Sequence, residues 1–466
     1  MNFKWFRRIK HAMQANKKVI SIVGTTGVGK SQLSIDLATK FNGEIINADS
    51  MQMYVGLDQI TNKHPISERN GVPHHVINHV KWNEKYYIHR FKKECEVAMQ
   101  ACWDKGKIPI IVGGTHYYLQ SVLFENKTIG SSEEDDLDCN NLTDDQKRIL
   151  DSSSDTVFEE LKKVDPVIAM KFHPNDVRRI RRALEVFYVK GKRASDLYAE
   201  QRKISLEQGA ALKYDTLFLW LYSKSPALDK RLDARVDKMM TQGGLKELCQ
   251  LYEVFNNNVE RDSGIWQVIG FKEFLPFLEK YGVKRLNEAQ KDPVIMKTLL
   301  NDPEFILCTD EMKAGTRKYA KKQVKWIKNL LVPELQQEEI KFNKLYVLDA
   351  SDLDIWDSAV QHRGFEIVDG FLNNKPISIS EIPVTLSNES LIKQDKSSLD
   401  KTENWVHHTC DICKDKVTGK SLVFVGNQWE IHLKSKKHRY SLNKGKRKRE
   451  YEEWLENKKN QECKSI

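Results

Sequence analysis

Short apolar runs alternate with stretches of helical periodicity from Val19 onward. "VISIVG" (19–24), "EIINAD" (44–49), "IPIIVGG" (108–114) and "DTLFLWLY" (215–222) read as strands buried on both faces, and "KLYVLDA" (344–350) as one more. Helical stretches follow the strands, so the pattern predicts an α/β core with a parallel sheet. Between the third and fourth runs the texture changes. Residues 125–212 open with a polar, acidic stretch, "SSEEDDLDCNNLTDD", and continue as basic amphipathic helices such as "HPNDVRRIRRALEVFYVKGK". This predicts a helical insertion that divides the core into 19–124 and 213–372. Hydrophobic periodicity lapses after Leu372, where Ser, Asn and Lys dominate, so 373–404 reads as a linker. A separate module follows at 405–441, and a basic tail at 442–466.

At 466 residues the chain has room for two or three domains. Its longest apolar stretches, such as "TLFLWLY", fall well short of the roughly 20 residues a membrane-spanning helix needs, and no membrane partner is expected. The net charge of +10 permits a nucleic-acid partner without requiring one. Eight cysteines, scattered apart from one pair, point to free thiols in a reducing compartment. The first 18 residues lack any acidic group and place Trp5, Phe6, Ile9 and Met13 on one helical face against Lys4, Arg7, Arg8 and His11 on the other. That is the pattern of a mitochondrial targeting leader, and equally of a solvated basic tail.

"GTTGVGKS", comprising Gly24, Thr25, Thr26, Gly27, Val28, Gly29, Lys30 and Ser31, follows the first strand and opens a helix. It fits the phosphate-loop pattern G-x-x-x-x-G-K-[ST]. Glycines let backbone N–H groups converge, the helix presents its positive end, and the lysine adds a full charge. Such a loop holds an oligophosphate without naming it. Asp49, Ser50, Met51 and Gln52 follow the second strand, and Thr115 the third, so all should face the same cleft outside the strands' carboxyl ends. From pattern alone, Asp49 could act on a substrate, cap a helix or hold magnesium through water, and Thr115 could be an ordinary helix N-cap.

The tail carries C-x2-C in Cys410 and Cys413, an 18-residue spacer, then H-x5-H in His432 and His438. Two thiolates and two imidazoles suit tetrahedral zinc, with the cysteines on a turn and the histidines about a turn and a half apart on a helix. Lysines crowd the histidine segment and continue into "KGKRKRE", the charge pattern of a phosphate-backbone reader or of a nuclear-localisation signal.

Taken in order, "GTTGVGKS", "INADSMQMY", "ITNKHP", "VPHHVINHV", "VGGTHYYLQ", "HPNDVRRIRRALEV", "RLDARVDKMM", "GIWQVIGFKEF" and "RKYAKKQVKWIK" closely resemble the tRNA dimethylallyltransferases, from about Val19 to Leu372. The zinc-finger tail is similar to that of the eukaryotic members. The resemblance implies a P-loop NTPase-like parallel core with a helical insertion and a C2H2-type finger. It also implies transfer of a dimethylallyl group from dimethylallyl diphosphate to N6 of the adenine 3′-adjacent to the anticodon of tRNA. The loop would then hold an isoprenoid diphosphate rather than ATP. Asp49 matches the proton acceptor, Thr115 a threonine near the bridging oxygen, and Arg235 the arginine on the diphosphate, with Arg231 beside it. Mg2+ would be held partly by Ser31 and Zn2+ by the tail. Ser50, Met51, Gln52, Arg179, Arg182, Gln267, Lys272, Lys322, Gln323 and Trp326 match positions that meet tRNA, whose anticodon stem-loop is the expected partner. Arg178 and Arg181 carry no role over. A monomer is expected, cytoplasmic, with mitochondrial and nuclear pools. The competing readings are an RNA-directed phosphate-loop kinase or ATPase, and a non-enzymatic RNA-binding finger protein. The intact loop and Asp49 disfavour the second of these, and the lack of a D-E-x-D box the first.

Overall fold

Six parallel strands form the core sheet of this computed structural model: β1 (Lys18–Gly24), β2 (Gly43–Asn47), β3 (His74–His75), β4 (Ile108–Val112), β5 (Asp215–Tyr222) and β6 (Leu345–Asp349), in the order β3-β2-β4-β1-β5-β6. The structure describes residues 17–84, 86–125, 142–208, 212–255, 264–336, 344–392, 405–415 and 419–444. The leader, most of the acidic stretch and nearly all of the basic tail lie outside them.

Each predicted strand is present and parallel, and the two-residue β3 extends the edge beyond β2. Alternate side chains divide between the two faces, as a sheet covered on both sides requires. Val19, Val23, Ile46, Ile111, Phe218 and Trp220 face one cluster. There α2 (Ile88–Asp104) packs through Phe91, Cys95 and Met99, and α3 (His116–Leu123) through Leu119 and Val122. Ile20, Ile22, Ile45, Ile110, Leu217 and Leu219 face the other, covered by α1 (Lys30–Phe41) and by α9 (Arg363–Leu372). Because all six strands run one way, the segments leaving β1, β2, β4, β5 and β6 emerge along one edge.

The chain divides into two compact bodies, 1–128 with 207–394, and 129–206 with 395–466. Part of the expected linker therefore belongs to the core. Val347 N donates to the Glu381 carbonyl at 2.7 Å, Leu386 and Leu391 are buried, and Gln336 Nε2 reaches the Ile392 carbonyl at 3.0 Å. Isolated apolar anchors hold this stretch, so no periodicity announces it.

In the second body, α4 (Ser154–Val164), α5 (Pro166–Lys171) and α6 (Val177–Lys190) bury Val157, Leu161, Ile168, Ile180 and Leu184 together. Ser153, Asp165 and Asp176 cap the three helices. The tail module rests against them. His173 Nε2 meets the Val423 carbonyl at 2.9 Å, Phe158 stacks on His407 with centroids 5.9 Å apart, and the Lys171 ammonium lies 5.4 Å from the Trp405 ring.

Candidate active site

The loop after β1 bends through Gly24, Gly27 and Gly29, all at positive φ, and Gly29 caps the start of α1. Two of these glycines are fixed by neighbours as well as by backbone angle. A Cβ on Gly27 would fall 2.5 Å from Leu232 Cδ2 and 3.7 Å from Arg235 Nη1, and one on Gly29 would fall 2.4 Å from the Trp356 ring. Helix α7 (Ser225–Met239), which follows β5, thus brings Arg235 against the loop. Lys30 Nζ donates to the Thr25 carbonyl at 2.6 Å.

Asp49 stands two residues past β2. Its Oδ1 accepts from Met51 N at 3.0 Å, and its own N–H is held by Asn47 Oδ1 at 3.1 Å, so a small turn fixes the carboxylate. Burial pushes its pKa up, opposed by that backbone bond and by the charges of Lys30 and Arg235. Burial likewise brings Lys30 down to about 8, against the pull of Asp49, and Arg235 down to about 10. Thus one carboxylate and two cations share a half-buried corner. Arg235 Nε and Nη1 and Thr25 Oγ1 are buried there without a hydrogen-bond partner among the described residues. Unmet donors beside a glycine-rich loop are the chemistry of an oxyanion site. Arg231 is engaged differently, with Nη2 donating to Ser223 Oγ at 2.5 Å and to the Ala350 carbonyl at 2.8 Å, so it ties β5 to β6.

Thr115, three residues past β4, accepts from Ser50 N and donates to Ser50 Oγ, both at 3.1 Å. It stands at the N-cap of α3, but its hydroxyl makes no cap bond there. Gln52 Nε2 donates to the Thr61 and Asn62 carbonyls at 3.2 and 3.0 Å. Met51 packs partly buried against the core cluster. The exposed Lys272 donates to the exposed Gln267 at 3.1 Å.

Helix α8 (Pro303–Trp326) crosses this edge. Lys322 is exposed, but Gln323 is buried with both ends of its amide bonded inside, and Trp326 stacks on His116 at 5.0 Å. Gln323 thus lies on the inner face of the helix, whereas Trp326 is half-buried. In the other body, Arg179 is exposed and Arg182 half-buried, pairing at 3.3 and 3.4 Å with Asp176 and Glu185. Arg181 instead binds the Leu150 carbonyl at 2.7 Å.

Sequence reasoning missed His116, Tyr319 and Trp356. His116 is buried, bonded to the Gly24 backbone, and held neutral by burial at about 3. "THYY" and "RKYAKKQ" carry the first two residues inside quoted motifs, whereas Trp356 lies beyond any motif.

A second candidate centre lies in the tail. Hairpin β7 (His407–Lys414) and β8 (Ser421–Val425) shifts register between Cys410 and Lys414, and Cys413 N points at Cys410 Sγ, 3.3 Å away. His432 lies on α10 (Gln428–Leu433), whereas His438 belongs to helical turns that resume at Lys436. Six residues on one straight helix would turn the second imidazole to another face. The break at Lys434 and Ser435, with Ser435 Oγ accepting from His438 N, re-aims it. All four ligand atoms lie within 4.8 Å of one another.

The IPP transferase family model matches residues 52–330. The tRNA dimethylallyltransferase of Saccharomyces cerevisiae is 45% identical over 457 residues, covering 97% of this chain and 98% of its own length. The human tRNA dimethylallyltransferase is 31% identical, over 93% and 88%. A solved structure of a eukaryotic dimethylallyltransferase acting on tRNA matches with a TM-score of 0.72 at 45% identity, over 94% of this chain and all of that one. With a phosphate loop, a half-buried carboxylate and a cluster of cations at one sheet edge, and with relatives matched along nearly the whole length, the chain belongs to the IPP transferase family.

Proposed function

We propose that the chain transfers a dimethylallyl group from dimethylallyl diphosphate to N6 of the adenine 3′-adjacent to the anticodon of tRNA. The observation that carries this reading is the meeting of a half-buried carboxylate, Asp49, with Lys30 and an Arg235 whose Nε and Nη1 have no hydrogen-bond partner among the described residues. The near full-length likeness to tRNA dimethylallyltransferases supports it.

An exocyclic adenine amine is a weak nucleophile because its lone pair is delocalised, so it needs a base as the bond forms. N6 attacks C1 of the allyl group, the C1–O bond breaks, the N6 proton passes to Asp49, and diphosphate leaves. Lys30, Arg235, Thr25 and the amides opening α1 take up the charge growing on that diphosphate. Thr115 holds the bridging-oxygen side. Ser31, in the first turn beside Lys30, would hold Mg2+ together with diphosphate oxygens, and the ion supplies further neutralisation of the leaving group. Arg179, Gln267, Lys272 and Lys322 are exposed donors suited to RNA, and the half-buried Arg182 is a further one.

Zinc fits the tail. Tetrahedral zinc, with Zn–S of about 2.3 Å and Zn–N of about 2.0 Å, spaces its ligand atoms roughly 3.3–3.8 Å apart. Here both sulfurs lie 3.6 Å from His438 Nδ1, which lies 3.1 Å from His432 Nε2.

The test is incubation with unmodified tRNA, magnesium and either radiolabelled dimethylallyl diphosphate or labelled ATP. Label from the first should enter tRNA, and label from ATP should not. Hydrolysis of ATP without prenyl transfer would replace this reading with the kinase or ATPase one.

A further inference from the structure

Gln323 is 3% exposed, and its carboxamide spans the cleft. Oε1 accepts from Thr26 N at 2.8 Å, while Nε2 donates to the Gly114 carbonyl at 2.9 Å. A Cβ on Gly114 would fall 2.5 Å from Gln323 Nε2 and 3.3 Å from Asp49 Oδ2, so the amide reaches the neighbourhood of the carboxylate. Tyr319, one turn earlier on α8, donates to the same Gly114 carbonyl at 3.3 Å. The helix is itself braced against α7, the carrier of Arg235, by Arg317 on Asp233 and by Lys313 on Asp237 at 2.7 Å.

We infer that Gln323 is a positioning residue that sets the span between the phosphate loop and the Gly114–Thr115 turn, and so between the leaving group and the proton acceptor. It joins two segments that touch the two ends of the reacting bond pair. With Thr26 N occupied internally, the cradle is left to the amides from Gly27 to Ser31, where the loop runs into the positive end of α1. A primary carboxamide of this length is required. It accepts at one end and donates at the other, whereas glutamate cannot donate and asparagine is one methylene short. Displacement at carbon needs the reacting atoms about 3–3.5 Å apart and in line, so a shift near 1 Å can cost about a hundredfold.

This inference rests on the transfer reaction proposed above, and the experiment has an arm independent of it. Amide hydrogen exchange of the whole chain should show Thr26 N–H protected in the wild type and at least tenfold less so in Gln323→Ala, with Ile22 in β1 unchanged as the control for folding. Unchanged Thr26 exchange overturns the inference whatever the activity. In the transfer assay, Gln323→Ala and Gln323→Glu should each lower kcat by ten- to a hundredfold with the Kd for tRNA within twofold. Gly114→Ala, which pushes the amide from the other side, should do the same. Wild-type kcat in Gln323→Glu, or a raised Kd for tRNA with kcat intact at saturation, would make Gln323 an RNA contact and end the argument.

Discussion

The cleft at the sheet edge and the four-ligand centre of the tail both bury polar groups in a small space, but they solve the problem with different means. In the cleft, Lys30, Asp49 and Arg235 come from segments up to two hundred residues apart and lie against a sheet whose two faces are packed with large apolar side chains. That packing holds the charged groups partly out of water, which raises Asp49 and lowers Lys30. In the tail, a short hairpin and two helical pieces supply Cys410, Cys413, His432 and His438 within 29 residues, and beyond the ligands the buried side chain among the described residues 405–444 is Val425. A module of that size takes its stability from a metal. The difference teaches where each region will fail: the cleft loses chemistry when one charge is altered, and the tail loses structure.

The largest effect should therefore come from Asp49→Asn. It keeps the shape and removes the proton acceptor, so the transfer rate should fall about 10²- to 10⁴-fold. Dissociation constants for tRNA and the diphosphate should stay near wild type, as equilibrium binding would show. Near-normal turnover would remove Asp49 from the chemistry.

Cys410→Ser breaks the comparison from the other side. Zinc content should drop by about one equivalent, tRNA affinity should fall by about tenfold with a shallower salt dependence, and the single-turnover rate at saturating tRNA should persist. A variant that binds normally and reacts slowly would place the tail in the reaction.

The pH dependence sharpens the electrostatic half. A diphosphate favours protonated Lys30, whose pKa is lowered to about 8 by burial. Below that value the charge is in place before the ligand arrives, and above it a proton must be taken up. Affinity for dimethylallyl diphosphate should then weaken by up to about tenfold per pH unit as pH rises through 8. Asp49 acts in the opposite sense. Its raised pKa means that kcat should fall as pH drops through it, because only the carboxylate accepts a proton.

The smallest expected effect is that of His173→Ala, which removes one hydrogen bond to the Val423 carbonyl. About 1 kcal/mol of docking, or roughly fivefold, should appear as faster proteolysis of the tail, with zinc retained.

The same contrast explains what could be read along the chain. Strands buried on both faces are continuous apolar runs, and the loop's glycines and lysine sit at fixed spacing, so β1, β2, β4, β5 and β6 and the Gly24–Ser31 turn were legible. The tail's ligands were legible because they are local. What escaped depends on contacts distant in sequence: Gln323 meets Thr26 across 297 positions, and Trp356 reaches Gly29 from a segment without periodicity. Residues 377–392 read as linker because single anchors such as Leu386 carry their packing. The kink that re-aims His438 follows from an awkward six-residue spacing whose resolution only folding reveals.

The phosphate loop is held from two sides, by Gln323 at Thr26 and by the Trp356 ring at Gly29. Ordering a free loop costs roughly 1–2 kcal/mol per residue, and a loop already fixed spares an incoming anion that cost. It spares it for the product as well as for the substrate. A cradle fixed in advance grips a free diphosphate much as it grips the allyl ester, so the leaving group has no binding energy to lose on departure. Inorganic diphosphate should accordingly compete with dimethylallyl diphosphate, and an enzyme built this way depends on its surroundings to remove its own by-product.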